Sequence, residues 1–157
     1  MNGKWVGGVI VLSALLAGGA IYYLQEYAYY QTVAFTPGAE ITLTALNGVP
    51  EPIAVADLQG IDASSSPLRF RACFTTQLTQ ATLTEAFVVY DKATPLNAPS
   101  WFSCFDAASI GDALATGEAV AFLSRAEIAP QIDRVVAVFP DGQAFAWHQV
   151  NPDLNGD

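Results

Sequence analysis

Residues Trp5–Leu24 read WVGGVIVLSALLAGGAIYYL and carry no charged side chain. As an α-helix rising about 1.5 Å per residue, such a run reaches about 30 Å, the thickness of a bilayer's hydrocarbon core. No other stretch restricts the fold as strongly. Residues 1–30 are therefore read as a transmembrane anchor with an aromatic outer belt, and any globular domain has to follow them.

Charge flanking the run sets its direction. Lys4 and the α-amino group precede it, and Glu26 follows. The positive-inside bias predicts a single-pass protein of the bacterial inner membrane, N-terminus cytoplasmic and C-terminal domain periplasmic. Tyr22, Tyr23, Tyr27, Tyr29 and Tyr30 crowd the far end, where rings with a polar tip favour the headgroup zone. Gly18-Gly19-Ala20 offers the small residues of a cleavable signal. The apolar run exceeds an ordinary signal core and continues directly into Ile21–Leu24, which favours retention. Gly3 and Gly7, like Ala14 and Gly18, are four apart, a spacing that lets two spanning helices approach closely. Self-association through this face is the alternative to a helix that meets only lipid.

With 157 residues, one anchor and one small domain fit. The chain has 6 basic and 15 acidic side chains, for a net charge of −9. Lys4 and Glu26 cancel, so the whole −9 belongs to residues 31–157. Such a domain repels phosphate backbones, which excludes nucleic acid as a partner class.

After the anchor, residues 31–38 read as a tether ending at Pro37-Gly38. Residues 39–151 form the extracytoplasmic domain, and 152–157 a disordered tail. Glu40–Leu46 alternates as a half-buried strand, and Asn47-Gly48 is a tight-turn pair. Val49-Pro50-Glu51-Pro52 is too proline-rich for anything but an edge or a loop. Ile53–Leu58 suggests a short strand, and 63–67 a loop. Leu68–Thr76 is a clear strand with Leu68, Phe70, Ala72 and Phe74 on one face and Arg69, Arg71, Cys73 and Thr75 on the other. Gln77–Thr84 is a helical turn or an irregular connection. Glu85–Asp91, apolar on both faces, predicts an interior strand. Asp106 is a good N-cap for a helix over Ala107–Thr116 that Gly117 ends. Ala119–Leu123 predicts a strand and Ala126–Gln131 a helical turn. Arg134–Phe139 and Gln143–Val150 flank Pro140-Asp141-Gly142, a β-hairpin signature. The fold class expected is α+β: a transmembrane helix, then a small mainly antiparallel sheet with one or two short helices and a C-terminal hairpin.

Few residues carry chemistry. Cys73 and Cys104, outside the membrane on this topology, are candidates for a structural disulfide, with free buried thiols as the alternative. The adjacent spacing of a redox pair is absent. His148, the only histidine, lies on a strand, where a packing role is the ordinary one. Zinc and haem spacings are missing, so no cofactor or metal is expected. No Gly-x-Ser-x-Gly elbow and neither nucleotide-binding glycine motif occurs, so no catalytic residue is assigned and the protein is read as non-enzymatic. Arg69 and Arg71, two apart on one strand, suit an anion or a partner's acids, or else cross-strand pairing with Glu85 or Asp91. Trp101 and Phe102, in a proline-flanked loop, suit either a partner contact or a core plug.

The segments MNGKWVGGVIVLSALLAGGAIYYLQEYAYY, PLRFRACF and VFPDGQAFAW together resemble a family of short, single-span alphaproteobacterial membrane proteins of unknown function. The resemblance covers nearly the whole chain. It implies one N-terminal span and a small extracytoplasmic domain, and it brings no catalytic residues. Some members carry a histidine-kinase label, which a chain this short, without a nucleotide motif, does not support. The function expected is that of a membrane-anchored accessory module that contacts an envelope protein, with small-ligand or anion binding as the alternative and an unrecognised enzyme as a further one.

Overall fold

The computed structural model describes residues 2–155. Helix α1, Gly3–Glu26, is one continuous element with no buried residue. Among the described residues it is the one helix long and apolar enough to cross a membrane, with a mean hydropathy of 1.9.

The chain turns sharply after α1, at Tyr29 with φ 70°. Strand β1, Tyr30–Thr32, then pairs antiparallel with β4, Ala56–Ala63. The expected tether is thus partly an edge strand. It holds because Gly60 has no side chain: a Cβ there would stand 2.5 Å from the ring of Phe35. The tether therefore packs on the sheet instead of swinging free.

Strand β2, Thr42–Thr44, is covered on both sides, where alternation predicted one. Ile41 and Leu43 enter the core. On the opposite face the Thr44 hydroxyl donates to the carbonyl of Ser124 (3.0 Å), and the Ser124 hydroxyl returns a bond to that of Thr42 (2.6 Å). Strand β3, Pro50–Pro52, pairs with β2 and is exposed along its length. Ala45 and Ile53 exchange backbone bonds across this pair with Val49 and Ile41. Residues 49, 51 and 53 therefore turn their polar groups inward, and the two prolines face out.

The strand expected at Ile53–Leu58 lies further along, in β4, whose start is bulged near Asp57. Strand β5 is Arg71–Thr75. Helix α2, Gln80–Ala86, is capped by the Thr79 hydroxyl, which accepts from the Thr82 amide (3.2 Å). The interior strand expected over Glu85–Asp91 is absent. Glu85 and Ala86 finish α2, and Phe87–Tyr90 is an extended strap with single bridges to Ala45 and Phe122. Its amides and carbonyls bond alternately to β2 and to β6, so it links two elements and belongs to neither.

Helix α3, Ala107–Thr116, has the expected ends. The Asp106 carboxylate accepts from the amides of Ala108 (3.0 Å) and Ser109 (3.2 Å), and Gly117 closes it at φ 78°. Strand β6, Val120–Ala129, runs on through the region expected to be a helical turn and reverses at Pro130-Gln131 into β7, Ile132–Val138. Gln131 takes φ 63° there. The hairpin of β7 with β8, Gln143–Val150, is as expected. Gly142 closes it at φ 86°, where a Cβ would come within 2.6 Å of the Thr76 carbonyl oxygen. Pro152–Asn155 forms a short 3-10 helix, and Asp153 pairs with Lys92 at 2.6 Å, so the expected disordered tail is ordered to residue 155. Residues 156–157 of that tail lie outside the described residues.

The six-stranded antiparallel sheet has the order β1-β4-β5-β8-β7-β6. One face, with Phe70, Ala72, Phe74, Val136 and Ala146, packs under β2, α2 and Phe87. The other, with Ile61, Cys73, Val135 and Trp147, packs under Phe102, Phe105 and Ile110 of α3. The class is α+β: an apolar N-terminal helix followed by an antiparallel sheet domain.

Candidate functional site

Two places concentrate the polar chemistry. The first is the junction between α1 and the domain. The last carbonyls of any helix lack intrahelical partners, and here the domain supplies them. Arg69 Nη1 donates to the carbonyl of Gln25 (2.9 Å), and the Trp101 indole N–H donates to that of Glu26. The Glu26 carboxylate accepts from the Ser100 amide (2.9 Å) and hydroxyl (3.0 Å). Around these bonds lies an aromatic collar. Trp101 stacks on Tyr27 and meets Tyr30 edge-on, and the Arg69 guanidinium sits 5.3 Å from the centre of the Tyr30 ring.

Beneath the collar, Arg71 is 4% exposed. Its guanidinium donates to four backbone carbonyls, those of Leu96 (2.8 Å), Leu68 (2.7 Å), Phe70 (2.6 Å) and Asn97 (2.9 Å). Burial pulls its pKa down to about 10, still high enough to keep the charge at neutral pH. Cys73 and Cys104 form a disulfide across 31 residues. Arg71 and the disulfide thus fasten the same irregular segment, 96–104, to β5.

This changes how the sequence candidates are read. The donors of Arg71 go to carbonyls, not to Glu85 or Asp91, and they are not presented to an anion. Arg69 and Arg71 line a common cavity of about 290 Å³ with Gln25 and Glu26, but Arg69 serves the helix end. Trp101 and Phe102 part company: Phe102 plugs the core, and Trp101 is 41% exposed on the collar. Gly3, Gly7 and Gly18 lie on the open surface of α1, with nothing of the chain within 4 Å of a Cβ built there.

The second place is a cleft of about 730 Å³. One wall is the bulged outer arm of β6, and the other is the loop after β4. The register sets Arg125 directly opposite Arg134, and Arg134 directly opposite His148. His148 stacks on Phe70 at 4.6 Å, and the Arg134 guanidinium lies 4.2 Å from the centre of the same Phe70 ring. Arg134 Nε donates to His148 Nε2 (2.9 Å), and His148 Nδ1 is 2.7 Å from the Pro67 carbonyl. Arginine only donates, so Nε2 accepts and the proton is on Nδ1, which donates to Pro67. His148 is therefore neutral, with both ring nitrogens engaged and none left to act as a general base. Asp62 also lines the cleft, and burial holds its carboxyl above the usual carboxylate range, partly opposed by Arg134. Among the described residues, no group of His, Cys, Asp and Glu converges as a metal site.

The cleft gives a pH prediction. Burial and Arg134 push His148 down to about 4, from an unfolded value of 6.5. Between those values the unfolded chain binds a proton that the fold refuses, so stability falls as pH drops from 6.5 towards 4. For this residue, 3% exposed, the loss is about 3 kcal/mol. Asp62 works in the opposite sense near the bottom of the window, because a raised carboxyl favours the fold on protonation. Denaturant midpoints of wild type and His148→Gln between pH 7 and 4.5 check this. The wild type loses the stability and the variant does not; parallel curves would rule His148 out.

Arg125, Arg134 and Asp62 were not singled out by sequence reasoning. Arg125 and Arg134 stand nine residues apart, and only a hairpin turning at Pro130-Gln131 makes them neighbours. Reading Ala126–Gln131 as a helical turn concealed that register.

A family model described as a family of unknown function (DUF6446) matches residues 41–155. Neither the curated proteins nor the solved structures contain a match to the chain.

Proposed function

From the premise that the chain belongs to this family of unknown function, we propose that it is a membrane-anchored, non-enzymatic interaction module of the cell envelope. Its N-terminus is cytoplasmic, and its acidic domain stands in the periplasm against the outer face of the inner membrane. The alphaproteobacterial single-span proteins it resembles give the same arrangement.

The observation that carries this reading is the fusion of α1 to the domain. A cleaved leader or a slack tether has no use for a helix end bonded by Arg69, Ser100 and Trp101. A module that must present one face to a membrane-bound partner does. Lys4 ahead of the span and the tyrosines beyond it support the orientation. A disulfide between Cys73 and Cys104 suits an oxidising compartment.

Two measurements test it. A reporter enzyme active only outside the cytoplasm, fused after Asp157, is expected to be active; activity of a cytosol-restricted reporter instead overturns the orientation. Cross-linked capture from solubilised membranes is expected to return a specific envelope protein. Exchanging α1 for an unrelated spanning helix on a Gly/Ser linker keeps the address, removes the docking, and is expected to abolish the capture. Repeated recovery of the chain alone rejects the module.

A further inference from the structure

We infer that the cleft between the outer arm of β6 and the loop after β4 binds a carboxylate monoanion, gripped by Arg134 and Arg125. The inference rests on the reading of the domain as a binding module and names the chemistry of its site.

The chain has five basic side chains after the anchor, and two of them face each other across the β6–β7 pair. Like charges directly opposed on neighbouring strands destabilise a sheet. Asp62 offsets Arg134 only at a distance: among the described residues, neither Arg125 nor Arg134 is in an ion pair, and a bound anion supplies one.

Arg134 is positioned for that task. Its Nε is fixed on His148 and its guanidinium sits over the Phe70 ring, and the Nη1/Nη2 edge makes no hydrogen bond among the described residues. Two parallel N–H groups on one edge match the two oxygens of a carboxylate. Neutral His148, its Nδ1–H spent on Pro67, holds this edge in place without adding charge. Arg125, exposed at the rim, adds the second cation.

The same cleft carries Asp62 and Glu127. These two carboxylates repel a dianion more than a monoanion, so inorganic phosphate is disfavoured relative to a single carboxylate held by the two-pronged edge of Arg134. The volume, about 730 Å³, lies in the range of sites for drug-sized ligands, well above what acetate fills. The carboxylate therefore belongs to a larger molecule, a small organic acid or the C-terminus of a peptide.

The full chain in detergent is titrated calorimetrically with acetate, trialanine, trialanine amide and inorganic phosphate. Trialanine is expected to bind, acetate more weakly, and the amide and phosphate not at all. If acetate binds as well as trialanine, the carboxylate alone is recognised and the assignment to a larger molecule is overturned. Arg125→Gln, at an exposed position that leaves the fold intact, is expected to weaken trialanine about tenfold. Arg134→Lys, which keeps the charge and loses the two-pronged edge, is expected to weaken it as much. Equal binding of the amide, tighter binding of phosphate, no binding of any carboxylate, or indifference to both substitutions overturns the inference. A chain that ignores carboxylates yet still captures its envelope protein overturns this site alone. A chain that binds trialanine and captures nothing overturns the module alone.

Discussion

Replacing Cys73 and Cys104 together with alanine is expected to cost the domain about 3–4 kcal/mol of stability, on the chain-entropy model for a loop of this length. The bond spans 31 residues, and those residues include α2, the strap and the whole proline-containing segment before α3. Without it the unfolded chain gains the freedom of that loop, and the folded chain loses the link between Phe102–Phe105 and β5. Cys104 is exposed, whereas Cys73 is 9% exposed. A small reductant reaches the bond from the Cys104 side without unfolding the domain, so reduced wild type is expected to show the same loss. Urea midpoints of oxidised, reduced and double-alanine chains decide the matter. Coincident curves for oxidised and double-alanine protein would mean the bond constrains nothing.

Arg71→Met is expected to cost about 3 kcal/mol, although methionine fits the volume and removes an expensive buried charge. The relief from desolvation is outweighed by four backbone carbonyls, at Leu68, Phe70, Leu96 and Asn97, left without their donor. Arg71→Lys fares little better, because one ammonium cannot span carbonyls that arrive from two separate segments. Guanidinium titrations of the three chains measure this. A methionine variant as stable as wild type would show that water replaces the guanidinium. Combined with loss of the disulfide, the substitution is expected to cost less than the sum, since both fasten residues 96–104 and an already loosened segment has less to lose.

These effects were only partly legible beforehand. Where the signal is local, the residues spell out the structure. Asp106 and Gly117 bracket α3, and Pro140-Asp141-Gly142 closes the last hairpin with Gly142 at φ 86°. The alternation of Phe70, Ala72 and Phe74 marks the side that packs under β2 and α2, although Cys73 on the other side of β5 is buried as well. Where partners are distant, the pattern misleads. EAFVVYD has strand composition, yet its first residues complete a helix capped by Thr79 and the rest is split between β2 and β6. Pro130 suggested a helical turn, because a two-residue reversal with Gln131 at φ 63° has no glycine to announce it. The pairing of Arg125 with Arg134 hangs on that reversal, so the cleft was invisible from the sequence. Arg69 and Arg71 do not share a strand face as expected: β5 begins only at Arg71, Arg69 sits in the turn before it, and the two are drawn to the helix end and the loop carbonyls, because unpaired backbone acceptors there compete for them.

The outward-facing prolines of β3 have a meaning that appears only once the molecule is placed on a surface. Confinement to a membrane raises the frequency with which copies collide side by side, and a bare strand rim is a template on which neighbours zip together. Here every amide on the outward row of residues 50 and 52 has been replaced by a ring. A colliding copy finds no N–H to donate to its carbonyls, so crowding in the plane does not grow into a fibre from this rim.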